Sequence, residues 1–231
     1  MKKYFAILLS SFVVLAFACD SESDNPCDKI ESLGIFALED NSKDALPYQP
    51  TNSRVIFSDS LGQERALNIL LQGDGFIEQS FFAVCDSDSS SLSIYEWEPE
   101  RVCYELEDQA EGSFSYQLCL EMVYNLNEPL DKQVADVLKI EAYSSGSLLQ
   151  REGEYGLLLD PRNYFGAIET AGESELLDEF TWEGRTLNQV FRLESINNIG
   201  QTRELYYSKE QGLVAFRDYS TNTFYFFERI E

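Results

Sequence analysis

Polar and apolar positions alternate along this chain in short runs, and the clearest pair of runs lies near its middle. Residues 101–107 (RVCYELE) and 115–121 (SYQLCLE) flank a turn-like segment, Asp108 to Gly112. A hairpin centred on Glu111 sets Val102 opposite Leu120, Tyr104 opposite Leu118 and Leu106 opposite Tyr116 on one face. The other face then carries Arg101 with Glu121, Glu105 with Gln117, and Cys103 with Cys119. A slip of one residue would turn the apolar set of one strand to the wrong side, so the alternation fixes the register. Further strand-like runs, punctuated by Gly, Pro, Ser and Asn, fall at 54–58, 76–84, 92–98, 102–107, 114–124, 137–143, 156–159, 189–194, 204–207, 212–218 and 223–230. A turn at Pro99-Glu100 would let Tyr95 and Trp97 extend the Val102–Tyr104 face and leave Glu96 and Glu98 on an acidic one. Helical signals are short: 66–72 reads as helix or strand, 129–137 has some helical spacing, and 174–180 suits one capped turn.

The pattern predicts a mainly β fold: a single domain, residues 29–231, built from an antiparallel, strongly curved meander sheet of half-barrel or sandwich-like form, with at most short helices. No Pro- or Gly-rich linker divides it. A faint repeat sets Tyr48, Phe57 and Asp59 against Tyr207, Phe216 and Asp218 at the same spacing, suggesting two similar loop-then-strand units.

The N-terminus reads as a targeting device. Lys2 and Lys3 precede an apolar run at 4–18, too short for a comfortable membrane-spanning helix and suited to a signal peptide at 1–18. The run ends in Leu15-Ala16-Phe17-Ala18-Cys19, which resembles the lipobox of bacterial lipoproteins, departing from the usual pattern at Ala16 and Phe17. The resemblance implies cleavage before Cys19 and a lipid on that cysteine. The alternative is an ordinary secretory signal with Cys19 in a disulfide. Residues 19–28 then form the lipidated cysteine and an acidic tether. In some lineages such a tether resembles an export signal to the outer surface, and in others an aspartate directly after the cysteine, here Asp20, resembles an inner-membrane retention signal; the expected location is the outer membrane, surface-exposed. The aromatic C-terminal stretch from Asn188 to Phe227 is similar to the ends of uncharacterised bacterial lipoproteins, and the similarity implies antiparallel strands in a curved sheet.

With Cys19 assigned to lipid, an exported chain has an even set of cysteines left, Cys27, Cys85, Cys103 and Cys119. The hairpin register pairs Cys103 with Cys119, and elimination pairs Cys27 with Cys85. The latter closes a loop of roughly 60 residues, for which the chain-entropy estimate is about 4 kcal/mol.

Composition narrows the chemistry. The 231 residues carry a net charge of −24 and no histidine. Nucleic acid is a poor partner, because phosphate binding relies on clustered Lys and Arg. Histidine-based triads and imidazole-held zinc are excluded. Carboxylate pairs such as Glu96 with Glu98, or Glu105 with Glu121, are candidates for glycoside hydrolysis, yet 41 acidic residues produce such pairs by chance. Asp86 to Ser91 begins like an EF-hand loop but lacks its glycine and its terminal Glu, which leaves a surface turn or a weak cation site. No cofactor, catalytic or metal residues are assigned. The expected role is a lipid-anchored, non-catalytic envelope protein that binds a hydrophobic ligand or a protein partner, with a surface glycan-processing hydrolase as the alternative.

Overall fold

The structure, a computed structural model, describes residues 30–85, 88–108, 114–124, 134–145, 149–159, 172–196, 202–219 and 221–231. These form thirteen strands and one helical turn: β1 (Ile30–Phe36), α1 (Asp40–Lys43), β2 (Arg54–Ser58), β3 (Glu64–Phe76), β4 (Gln79–Cys85), β5 (Asp88–Asp108), β6 (Phe114–Tyr124), β7 (Val134–Ser145), β8 (Leu149–Leu158), β9 (Gly172–Trp182), β10 (Arg185–Ile196), β11 (Thr202–Ser208), β12 (Gly212–Asp218) and β13 (Thr223–Ile230). The mainly β, antiparallel class read from the alternation is the class found. Among the described residues no helix is long and apolar enough to cross a membrane.

Two compact units are distinguished among the described residues, one from 30–33 and 80–97 and the other from 34–79 and 98–231. In the first, Phe81 of β4 stacks on Tyr95 of β5 with ring centroids 5.2 Å apart. The second contains the main sheet, ordered β8-β7-β6-β5-β3-β2-β13-β12-β11-β10-β9. It consists of two meanders joined where β13 pairs with β2, Phe227 facing Phe57 and Ile230 facing Val55. The sheet curls until β8 packs against β9 and β10, with the Glu154 N–H donating to Ser195 Oγ at 2.9 Å.

Alternation explains the curled core. Phe57, Leu67, Leu106, Leu118, Leu138, Ile140, Leu193, Leu205 and Phe216 are fully buried, each burial worth about 1.5–3 kcal/mol relative to exposure. The other face of the C-terminal strands carries a second cluster, Val190, Tyr206, Val214, Ala215, Phe224 and Phe226, covered by Leu177, Phe180 and Leu187. The cover is possible because β10 adopts φ 52° at Gln189, where its ladder with β9 is interrupted. Leu187 and Val190, of opposite parity, thereby reach the same cluster. Glu183 and Gly184, both at positive φ, make the tight turn between β9 and β10 that right-handed strand twist favours.

One end of the curled sheet is covered by residues 38–52, where Leu38, Ala45, Leu46 and Tyr48 are buried. The Tyr207 hydroxyl donates to the Ala45 carbonyl, and the Leu213 N–H donates to Tyr48 Oη at 2.9 Å. The Glu39 N–H donates to Asp136 Oδ2 at 3.0 Å and the Leu38 N–H to Glu100 Oε2 at 2.9 Å. The two tyrosines of the faint repeat thus meet at this cover, and its phenylalanines, Phe57 and Phe216, meet edge to face at 5.0 Å.

The β5–β6 register is the one read from the sequence at all seven positions, from Arg101–Glu121 to Glu107–Ser115. The predicted bounds of β6, β12 and β13 are also those observed. Four expectations are corrected. No turn forms at Pro99-Glu100: β5 runs through both, and Tyr95 and Trp97 do not continue the Val102–Tyr104 face by that route. Proline is tolerated because pairing with β6 stops at Arg101, so the missing N–H costs no bond to that strand. Residues 174–180 are strand, because β9 pairs with β10 at ten positions, six of them within this segment, and the ladder overrides the local helical spacing. Residues 66–72, open between helix and strand, are strand within β3, while the run expected at 76–84 is split between β3 and β4. Of the 129–137 segment, residues 129–133 lie outside the described residues and the remainder is β7.

Candidate functional site

At the end of the curled sheet opposite the 38–52 segment lies a cavity of about 280 Å³. Phe114 and Tyr116 of β6 form one wall, continued by Ala142, Tyr143 and Ser144 of β7 and by Tyr155 of β8. The facing wall is Arg203 and Glu204 of β11, Arg217 and Asp218 of β12, and Tyr219 just beyond. Pairing dictates this assembly: Tyr116 faces Ala142, and Tyr155 faces Ile140 one step along the same side of β7. Ala142 is the small residue that leaves space among the rings.

Behind Phe114 and Asp218 lies a partly buried ion cluster. Arg65 enters on the Phe57 side of the sheet, since the two are cross-strand partners. Its Nη1 donates to Asp218 Oδ2 at 2.6 Å and its Nε to Asp108 Oδ2 at 2.7 Å, with a second Nη2 contact to Asp108. Its guanidinium also stands over Phe114 at 4.3 Å and Tyr225 at 5.3 Å. Burial acts against the charge, but the bonds to Asp218 and Asp108 outweigh it and hold the guanidinium pKa above its ordinary value.

Ring faces contact both arginines among the lining residues. Arg203 lies 3.9 Å over Tyr219. Arg217 lies 5.5 Å from Trp182, 5.4 Å from Phe224 and 6.0 Å from Tyr219. The cavity's carboxylates are engaged elsewhere: Asp218 accepts from Arg65, and Glu204 Oε2 accepts from Arg192 at 3.1 and 3.2 Å. The Glu204 N–H donates to Tyr219 Oη at 2.9 Å. Burial raises the Tyr116 phenol well above its ordinary pKa and also raises Tyr219, so both are neutral at physiological pH.

The residues singled out in the sequence lie elsewhere. Cys103 and Cys119 are joined in a disulfide, Cα atoms 4.1 Å apart, on the sheet face opposite Tyr104 and Leu118. On that face Glu105 accepts from Gln72 at 2.6 Å and Glu121 pairs with Arg101 at 3.2 Å. Glu96 and Glu98 are exposed. A depression of about 420 Å³ beside the disulfide is lined by Gln72 to Ile77, Arg101, Cys103 and Gln117, a set with one aromatic ring. Cys19 and Cys27 lie outside the described residues, as does the side chain of Cys85, and so does the expected Cys27–Cys85 bridge. Asp86 and Ser87 also lie outside them, and Asp88 to Ser91 are strand. Among the described residues no three Cys, Asp or Glu side chains converge as a metal ion would require.

Sequence reasoning missed Arg65, Arg203, Arg217 and Tyr219. The available signal was the charged pair Arg217-Asp218 ending the otherwise apolar Gly212-Leu213-Val214-Ala215-Phe216, since a charge in such a strand demands a partner. Comparison of the chain with protein-family models, with curated protein sequences and with solved structures found no match.

Proposed function

We propose that this chain is a lipid-anchored, non-catalytic envelope protein, held to the outer membrane and facing the surface through lipid on Cys19, whose curled sheet binds a small hydrophobic ligand. The N-terminal basic pair, apolar run and Cys19 support the anchor. The observation that carries the binding role is the cavity walled by Phe114, Tyr116, Tyr143, Tyr155 and Tyr219 at the end of the sheet opposite residues 38–52. Concave, mostly apolar sites with a few polar groups are where small molecules bind. A discrete ligand is favoured over a protein partner because the aromatic rings line a concave, half-open pocket instead of a flat face. A two-carboxylate hydrolase gains no support here, since Glu204 and Asp218 are both tied to arginines.

Native mass spectrometry of residues 20–231, isolated gently from the native host, tests the ligand. A discrete added mass that is lost on denaturation is expected, and a bare chain mass from every preparation overturns the binding role. Cys19→Ser should release the protein from membranes, and unchanged membrane association refutes the anchor.

A further inference from the structure

Given the ligand-binding role proposed for the cavity, on which this step rests, we infer that the ligand is a compact, uncharged aromatic carbonyl compound, such as an aryl ketone, whose oxygen is read by the Tyr116 hydroxyl. Size sets the first limit. A dry cavity of about 150 Å³ accommodates benzene, so about 280 Å³ suits one ring with a short substituent, or two fused rings. Wall chemistry sets the second: Phe114, Tyr116 and Tyr155 offer faces and edges on which a planar ring packs better than an alkyl chain.

Charge sets the third, because each charged side chain among the lining residues is already engaged. Asp218 pairs with Arg65, and Glu204 with Arg192. Arg203 stands over the Tyr219 ring at 3.9 Å. Arg217 follows Phe216, whose ring packs on Phe114 and Tyr116, so strand alternation turns its guanidinium to the other face of the sheet, over Trp182 and Phe224. An ion entering the cavity would shed its water with no unpaired charge to replace it. A neutral ring with one polar atom needs only one hydrogen bond, and Tyr116 supplies it. Tyr116 is 7% exposed, its ring held against Phe114 and Phe216, yet among the described residues its hydroxyl has no hydrogen-bond partner. Of the four groups whose charge acts on that oxygen, Tyr155, Tyr219 and Asp218 line the cavity, which sets the hydroxyl at the cavity wall. Burial keeps it protonated, so it donates, and a carbonyl oxygen is the uncharged acceptor that fits.

The test uses the anchored full-length protein in lipid nanodiscs, with empty nanodiscs as blank, and ligand-observed fluorine NMR with 4-fluoroacetophenone, 4-fluorotoluene and 4-fluorobenzoate. The ketone and fluorotoluene should bind, and fluorobenzoate should bind about tenfold or more weakly than the ketone. Tyr116→Phe should weaken the ketone about threefold to tenfold, the size of one neutral hydrogen bond, while leaving fluorotoluene within about twofold. Because the hydroxyl holds no bond in the unloaded protein, the same variant should not lower its melting temperature. Ala142→Leu, which fills space between the rings, should weaken both neutral probes. Ketone binding unchanged in Tyr116→Phe, equal loss of the ketone and fluorotoluene, or a lowered melting temperature overturns the role of the hydroxyl. Fluorobenzoate binding as tightly as the ketone overturns the uncharged assignment. These outcomes leave a ligand cavity. Binding of neither neutral probe beside a native added mass overturns the aromatic carbonyl class while the ligand-binding role stands, and with no added mass both fall. Probe binding that is undiminished in Ala142→Leu overturns this cavity as the site.

Discussion

Gly212→Ala should be among the most damaging single-methyl additions in this protein. Gly212 opens β12 at φ +78°, where an L-residue pays about 1–2 kcal/mol. A Cβ built there falls 2.3 Å from Tyr48 Oη and 2.7 Å from its Cζ, with Pro47 Cγ at 3.1 Å. Tyr48 must therefore withdraw, and it is 3% exposed with nowhere to go but outward. Withdrawal breaks the bond from the buried Leu213 N–H to Tyr48 Oη, and leaving a buried donor unmet costs about 1–3 kcal/mol. Together the loss is about 2–5 kcal/mol, or a fall in melting temperature of roughly 5–15 °C for a chain of this size. Urea unfolding followed by tryptophan fluorescence, with disulfides intact, measures it. Tyr48→Phe, which removes only the hydroxyl, should cost about 1–2 kcal/mol, and the double variant should lose less than the two singles combined because they share one bond. A Gly212→Ala protein within 0.5 kcal/mol of the parent, by the same order-of-magnitude scale, would refute the close packing of residues 38–52 against β12.

Arg65→Ala leaves Asp108 and Asp218 without their cation and should cost about 3–5 kcal/mol by urea unfolding, whereas Arg65→Ala combined with Asp108→Asn and Asp218→Asn should recover part of that loss. Burial raises the Tyr206 phenol to about 12 from 10, so the folded protein keeps a proton that the unfolded chain releases. The Tyr206 contribution to stability is therefore full below pH 10 and declines between pH 10 and about 12, and a step in tyrosinate absorbance at 295 nm should accompany unfolding. Reducing Cys103–Cys119 opens a loop of sequence separation 16 and should cost about 3 kcal/mol in the chain-entropy estimate. Non-reducing peptide mapping should link these two cysteines, and a Cys85–Cys103 peptide would refute the pairing.

Legibility in the sequence tracked how local the deciding interactions were. The β5–β6 hairpin was readable because both strands alternate cleanly about one short turn, so the two faces and the disulfide followed from register. β12 and β13 were bounded by the turn residues beside them. β9 was misread because Leu176, Leu177 and Phe180 have helical spacing, and only the ladder with β10 makes them strand. The cavity was invisible for the same reason on a larger scale. Tyr116 and Asp218 are far apart in the chain, and nothing in either local pattern says that the curl of the sheet sets them on facing walls. The two tyrosines that meet at the covered end, Tyr48 and Tyr207, were flagged only as a spacing coincidence.

The insertion of β13 between β2 and β12 governs the order in which this protein can assemble. The strands β2 to β8 and β9 to β12 are each joined mostly to sequence neighbours, so either group can zip up soon after it emerges. The seam between them cannot: the Ser58 hydroxyl bonds to Glu228 across 170 residues. Until β13 arrives, β2 and β12 each present an unsatisfied edge, and Phe57 and Phe216 lack the rings that cover them. Contacts this distant make the closing step slow. The two groups can therefore form before the seam that joins them, and the curled sheet closes only once residues 223–230 are in place between β2 and β12.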